Sequence, residues 1–301
     1  MEIEIAERMA IRIVVAGEIF IDQVLSGFAA WPAPGEEIFA TTMVKELGGG
    51  APHTAAGLHR LGWNVALAGP VGAADAAWVK ARMLELGLDT IYLTEVPSEP
   101  TGTTIAVSLP DDRTFFSYSG ANKFLPPLLE ALPTASHIHL ACTCEPALLR
   151  HLATGTATIS LDAGWNPDWL RSPQTLEALS SLTWFLPNER EAACITGETE
   201  PHAMLQKFHE LKIPTVIKLG ALGSTLMTGD GAIVSAPPFP VAAIDTTGAG
   251  DNFNAGFLDA WLRGEPPLQC LRKGNYLGAL STRAMGGMNG FPTQKELQIW
   301  A

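Results

Sequence analysis

The stretch Asp245-Thr246-Thr247-Gly248-Ala249-Gly250-Asp251, continued by Asn252-Phe253-Asn254-Ala255-Gly256-Phe257-Leu258, decides how the chain is read. Phe253, Phe257, Leu258, Trp261 and Leu262 recur at helical spacing, so a glycine-rich turn opens an amphipathic helix. Gly264 and the Pro266-Pro267 pair end it. The backbone N–H groups of Gly248, Ala249 and Gly250 are then unpaired donors at a helix N-terminus, an anion cradle that needs no basic side chain. Asp251, in the first helical turn, has two readings. It is a favourable carboxylate on the helix dipole, or a general base placed to take a proton from a hydroxyl attacking a phosphoryl group. An acid directly behind an anion cradle repels the anion unless it has chemistry to perform, which favours the base.

Outward from this stretch, short apolar runs alternate with helix-like segments, the pattern of an α/β sheet covered on both faces. The runs are Ile11–Ala16, Asn64–Ala68, His137–Ala141, Thr158–Leu161, Leu182–Leu186 and Thr215–Leu219. The helical candidates are His53–Leu61, Ala77–Leu86, Asn188–Ile195, Met204–Leu211 and Asp251–Leu262. One domain over residues 1–301 is the simplest account. Two regions break the alternation, Ile19–Leu47 and Thr101–Ser119, which read as short strands with turns at Trp31-Pro32-Ala33-Pro34-Gly35 and Pro110-Asp111-Asp112-Arg113. They read as either two surface hairpins or, as expected here, a lid of segments at about 18–47 and 99–121 inserted over the binding crevice.

Composition narrows the function. Hydrophobic residues are 47% of 301 against 17% charged, enough for a large core. Lys plus Arg number 19 against 31 Asp plus Glu, a net charge of -12, which argues against nucleic acid and anionic membrane surfaces as partners. Four cysteines form no disulfide framework and no Cys-x-x-Cys pair, and no apolar run approaches a membrane span. With Glu2, Glu4, Glu7 and Arg8 in place of a signal-like apolar segment, a reduced cytoplasmic location is expected. The residues ahead of Met9 are read as a loose tail. His137-Ile138-His139 and Cys142-Thr143-Cys144 offer four possible zinc ligands within eight residues, but an extended chain cannot easily bring them to one tetrahedron, so no zinc is expected.

Three motifs in order carry a resemblance. Asp245–Leu258 looks like the C-terminal motif of the ribokinase family, the phosphofructokinase-B-type carbohydrate kinases. Gly48-Gly49-Gly50-Ala51-Pro52-His53-Thr54-Ala55-Ala56-Gly57-Leu58-His59-Arg60-Leu61-Gly62 is similar to its N-terminal Gly-Gly motif, and Leu186-Pro187-Asn188-Glu189-Arg190-Glu191-Ala192 resembles its Asn-x-x-Glu motif. Gly17-Glu18 with Asp22, Glu145, Lys218-Leu219-Gly220 with Gly223, and Asn275 to Gly287 extend the match from about Ile11 to Pro292.

The resemblance implies a three-layer α/β sandwich with a mostly parallel sheet and a small β-lid. It also implies transfer of the ATP γ-phosphoryl group to a hydroxyl of a sugar or sugar-like alcohol. Asp251 is then the base, with Gly248, Ala249 and Gly250 as the anion hole. Asn188 and Glu191, for which capping their helix is the alternative reading, would help hold Mg²⁺ largely through water. Lys218, Gly220 and Gly223 would lie along the nucleotide phosphates and ribose, and Asn275 beside the adenine. Asp22, Gly48, Gly49, His53 and Glu145 would meet the sugar, with His53 standing where the family usually has Asn. A K⁺ site found in some members would take Asp245 and carbonyls near Thr247, Ser281, Ala284 and Gly286. The motif Gly48–Ala55 carries no basic residue, which leans towards an unphosphorylated substrate, although Arg113 in the lid could reach a phosphate. Trp31, Phe115, Phe116 and Tyr118 keep a nucleoside kinase open as the alternative, beside a non-catalytic sugar-binding regulator on the same fold. Pairing of lids into a homodimer is also expected from the resemblance.

Overall fold

The computed structural model describes residues 12–109, 113–293 and 295–297. The tail before Met9 and the turn at 110–112 lie outside the described residues. In chain order the elements are β1 (Arg12–Gly17), β2 (Phe20–Ser26), β3 (Thr42–Gly48), α1 (Gly50–Arg60), β4 (Asn64–Gly72), α2 (Ala76–Glu85), β5 (Leu93–Val96), β6 (Gly102–Ser108), β7 (Arg113–Tyr118), α3 (Leu125–Leu129), β8 (His137–Ala141), α4 (Pro146–Leu152) and β9 (Thr158–Leu161). They continue as α5 (Pro167–Arg171), α6 (Pro173–Leu179), β10 (Trp184–Phe185), α7 (Glu189–Thr196), α8 (Pro201–Glu210), β11 (Val216–Lys218), β12 (Ser224–Met227), β13 (Ile233–Ala236), α9 (Ala249–Leu262) and α10 (Pro267–Ser281).

Six parallel strands make the central sheet in the order β10-β9-β8-β1-β4-β5. Parallel bridges Phe185–Thr215 and Asn188–Lys218 join its β10 edge to the antiparallel set β11-β12-β13. Side chains alternate across the central strand β1: Ile13 and Val15 pack with α1, α2, α9 and α10, and Val14 and Ala16 with α3, α4, α6 and α8. Both faces are therefore dry, which is why the strand reads as a continuous apolar run. This is the three-layer α/β architecture. Among the described residues no helix is long and apolar enough to cross a membrane.

The chain runs outward from β1 to β4 and β5, then returns to the other side of β1 for β8, β9 and β10. Neighbouring crossovers diverge between β1 and β8, and a crevice opens at the carboxyl ends of those two strands. The two interruptions of the sequence pattern come together there in one sheet, ordered β3-β2-β6-β7, rather than as separate hairpins. Its inner pair, β2 and β6, runs parallel. Arg82 on α2 ties it to the body through paired bonds to Glu46 on β3, from Nε to Oε1 at 2.6 Å and from Nη2 to Oε2 at 2.7 Å.

Candidate active site

The glycine turn and helix form as their sequence requires. Gly248 takes the left-handed conformation (φ 70°) and caps α9, which starts at Ala249 and puts Asp251 in its first turn. Phe253, Phe257 and Leu258 are buried against the sheet side of the helix. One expected donor of the cradle is spent locally, since the Ala249 N–H bonds to the Thr246 carbonyl at 3.2 Å. The Gly248 and Gly250 N–H groups remain.

Asp251 lies where two helix N-termini meet. Its backbone carbonyl accepts from Thr54 Oγ1 at 3.2 Å, fastening α9 to α1. Its carboxylate sits so close to Gly50 that a Cβ there would be 2.9 Å from Oδ1. The side chain is 23% exposed, and Oδ2 is 3.9 Å from His53 Nδ1. Burial raises its pKa above the ordinary aspartate value, with His53 opposing.

Across the crevice, Asp22 on β2 pairs in register with Glu46 on β3. Gly48 makes room for it, since a Cβ there would lie 2.2 Å from the Asp22 carboxyl carbon. Burial pushes Asp22 up to about 6, with His53 opposing and Asp245, Glu46 and Asp251 adding to the rise. His53 itself is buried. Its Nδ1 donates to the Gly49 carbonyl at 2.7 Å, and Nε2 faces the Gly286 carbonyl oxygen at 3.4 Å. Glu145 sits at the N-cap of α4 with an exposed side chain.

On the far side of α9 lies a cleft of about 440 Å³, lined by Lys218, Gly220, Gly223, Gly250, Phe253, Asn275 and the Pro238–Val241 segment among others. Asn275 shapes this cleft through the backbone, its amide N–H₂ donating to the carbonyls of Ala236 (3.2 Å) and Pro237 (2.9 Å). Asn188 and Glu191 form a reciprocal capping box at the start of α7. Asn188 Oδ1 accepts from the Glu191 N–H at 2.9 Å, and Glu191 Oε2 accepts from the Asn188 N–H at 2.9 Å. Burial, with Asp162 adding to it, pushes Glu191 up to about 7. Asp245 is buried and joins two loops, Oδ1 accepting from the Thr247 N–H and Oδ2 from the Gly286 N–H, each at 2.8 Å. Ser281, also buried, donates to the Gly278 carbonyl at 2.9 Å, and Ala284 lies in the turns before Gly286.

Sequence reasoning passed over Asp162 and Asn254. Asp162 follows β9, and its Oδ2 accepts from Lys218 Nζ at 2.5 Å and Asn254 Nδ2 at 2.6 Å. A carboxylate closing the apolar run Thr158–Leu161 at a parallel strand's carboxyl end was the available signal. His137 and His139 face the sheet interior, bonded to Thr158 and Ser160, and burial drives them down to about 3 and 4. Burial likewise raises Cys142 and pushes Cys144 up to about 12, so both are inert thiols.

Comparison with known proteins gives the class of protein and its fold. The model of the pfkB family of carbohydrate kinases matches residues 10–294. A ribokinase of Haemophilus influenzae is 30% identical over 300 residues, covering 94% of this chain and 95% of its own. A 2-dehydro-3-deoxygluconokinase of Bacillus subtilis is 27% identical, covering 85% and 87%. The solved Arabidopsis thaliana ribokinase, complexed with ribose and ATP, superposes with a TM-score of 0.82 at 25% identity, over 97% of this chain and 99% of that one. The chain belongs to the pfkB family of carbohydrate kinases. It is an ATP-dependent kinase of the ribokinase type, acting on a sugar or nucleoside.

Proposed function

We propose that the chain moves the γ-phosphoryl group of ATP to a hydroxyl of an unphosphorylated sugar or sugar derivative, with Asp251 as general base. The observation that carries this is the place of the Asp251 carboxylate. It stands behind the Gly248 and Gly250 N–H groups, with Asp22 and the Gly48-Gly49 turn on one side and the Lys218–Asn275 cleft on the other. ATP would lie in that cleft with its triphosphate running past Lys218 to the start of α9. The sugar would rest on Gly48 and Gly49, bordered by His53 and hydrogen-bonded by Asp22, with Glu145 at the mouth. Asp251 takes the hydroxyl proton as that oxygen bonds to the γ-phosphorus, and the bond to the β-bridging oxygen breaks with its electrons leaving on ADP. The Gly248 and Gly250 N–H groups and the positive end of α9 stabilise charge on the transferring group.

Asn188 and Glu191 offer hard oxygen donors. Among the described residues no group of three or more His, Cys, Asp or Glu could hold a metal directly, so a water-rich Mg²⁺ carried by the nucleotide is the form that fits. When bound, it neutralises phosphate charge. K⁺ would be held by Asp245, whose oxygens each accept one N–H from the loops and keep a further lone pair, and by carbonyls near Thr247, Ser281, Ala284 and Gly286. No step is routed through K⁺.

One observation favours a nucleoside as acceptor. Phe115 pairs with Ala106 on the face of the small sheet that carries Asp22, and it is 56% exposed. There it could stack on a base. On the opposite face Met43, Ile105 and Phe116 are exposed together, which supports pairing of two lids in a homodimer. Size-exclusion chromatography with light scattering would read a monomer if that pairing is wrong.

The deciding experiment is ADP release from ATP and Mg²⁺ across free sugars, sugar acids, sugar phosphates and nucleosides. Turnover confined to unphosphorylated sugars or sugar acids is expected. Nucleosides alone would move the assignment to the second reading. Sugar binding without ADP release would leave a non-catalytic regulator.

A further inference from the structure

Lys218 presents an electrostatic problem that its neighbours solve. Its side chain is 11% exposed, so the ammonium needs a counter-charge, and Asp162 supplies one at 2.5 Å. Burial would lower the lysine pKa, yet Asp162 and Glu191 hold it above its ordinary value. Burial would raise Asp162, yet Lys218 and the bonds from Lys218 and Asn254 bring it below the usual carboxylate range. Asn254, fully buried on α9, binds both partners, giving Nδ2 to Asp162 (2.6 Å) and taking a bond from Lys218 Nζ at 3.3 Å. The Asp162 backbone is fixed as well, its N–H bonded to the Leu140 carbonyl at 2.9 Å.

The ammonium does not merely rest in this pocket. A Cβ built on Gly250 would find Lys218 Nζ as its nearest neighbour, at 3.5 Å. So the cation stands beside the N-terminus of α9, itself a centre of partial positive charge. Two like-signed centres diverge unless something holds them together, and a lysine on a four-carbon stem is free to swing away. Asp162 and Asn254 prevent this, one by charge and one by a bond from the helix whose N-terminus is concerned.

We propose that Asp162 is the positioning residue for Lys218. With Asn254 it locks the ammonium against the Gly250 N–H, so that lysine and helix terminus meet the terminal phosphates of the nucleotide together. Asp162 itself lies beneath the lysine and touches no phosphate. The inference rests on the nucleotide site proposed above.

The test is calorimetric binding of the non-hydrolysable analogue AMP-PNP with Mg²⁺, and of AMP, to wild type, Asp162→Asn, Lys218→Met and the double variant. Asp162→Asn is expected to weaken AMP-PNP about tenfold, a coupling of the size that close charge pairs show, and to leave AMP unchanged. The double variant should bind no more weakly than Lys218→Met alone, because Asp162 acts only through the lysine. Asn254→Ala, which keeps both charges, should weaken AMP-PNP in the same direction and serves if Asp162→Asn does not fold. Wild-type AMP-PNP affinity in Asp162→Asn or, if that variant does not fold, in Asn254→Ala would overturn the inference. So would equal losses for AMP, or single effects that multiply in the double variant. Failure of wild type to bind the analogue would instead remove the nucleotide site, and this inference with it.

Discussion

His53 and Gly248 fit together only because the glycine has no side chain: a Cβ on Gly248 would lie 2.6 Å from His53 Cδ2. Gly248 also holds φ at 70°, which costs any other residue about 1–2 kcal/mol. Gly248→Ala should therefore lower stability by about 1–3 kcal/mol and displace the N–H groups that face the phosphoryl site. Turnover should fall by tenfold or more, since losing one comparable donor costs about 10²–10³ in rate. Adding His53→Ala should restore part of the melting temperature by relieving the clash, leaving the backbone strain. A double variant no more stable than Gly248→Ala would show that the imidazole does not press on this turn.

Asp251→Asn keeps the shape of the side chain and removes the proton acceptor. If Asp251 is the base, kcat should drop by about 10²–10⁴. Stability should not fall. Burial raises the Asp251 pKa, so its ionised form is the disfavoured one in the folded chain, and a neutral amide relieves that cost above the folded pKa. A melting temperature equal to or above wild type at pH 8, with turnover nearly gone, is the expected pair of results. Wild-type turnover in this variant would take the base role from Asp251.

Much of the local structure of the candidate site could be read before the fold was known, and the limits have physical causes. The Asp245–Leu258 stretch was legible because a helix start has local rules: glycines at the turn, an acid in the first turn, and apolar spacing behind. The Asn188–Glu191 pair was legible for the same reason, and both its cap and its place beside Lys218 are present together. Helix α10 escapes the sequence pattern because Pro266-Pro267 reads as the stop of α9, whereas Pro267 also opens the next helix at its first position. Asp162 and Asn254 escaped because 92 residues separate them, and only the tertiary fold brings their side chains within 2.6 Å. The role expected of Ala249 was half visible, since a turn that frees neighbouring N–H groups consumes this one on Thr246.

Asp22 should show a trade of stability for binding. Burial lifts its pKa from 3.8 to about 6, so the folded chain holds the proton through a range where the unfolded chain has released it. The resulting penalty is absent below about pH 4, grows between pH 4 and 6, and is complete above 6. Asp22→Asn removes it, and should raise stability at pH 8 by up to about 3 kcal/mol, with the gain vanishing near pH 4. Its KM for the accepted sugar should rise, because the amide replaces an acceptor of two hydroxyl bonds. Thermal melts of both proteins from pH 4 to 8 would contradict this if the difference were constant across the range.

Glu191→Gln separates capping from metal binding at one residue. In the capping box Glu191 Oε2 accepts the Asn188 N–H at 2.9 Å, and Oε1 accepts from Asn188 Nδ2 at 2.8 Å. A glutamine carbonyl oxygen can keep the first of these bonds, so stability should stay within about 1 kcal/mol of wild type. Charge is what the glutamine loses, and hard cations depend on it. If Glu191 helps hold the magnesium of the nucleotide, the Mg²⁺ concentration for half-maximal rate should rise about tenfold at pH 8. The pH dependence carries a second signature. Burial places the carboxyl near 7, so in wild type the ionised form is lost as pH falls through 7. The wild-type Mg²⁺ requirement should then climb towards that of the variant at pH 6, while the variant stays flat. Parallel lines for the two proteins across that range, with a lower melting temperature in the variant, would assign Glu191 to the helix cap alone.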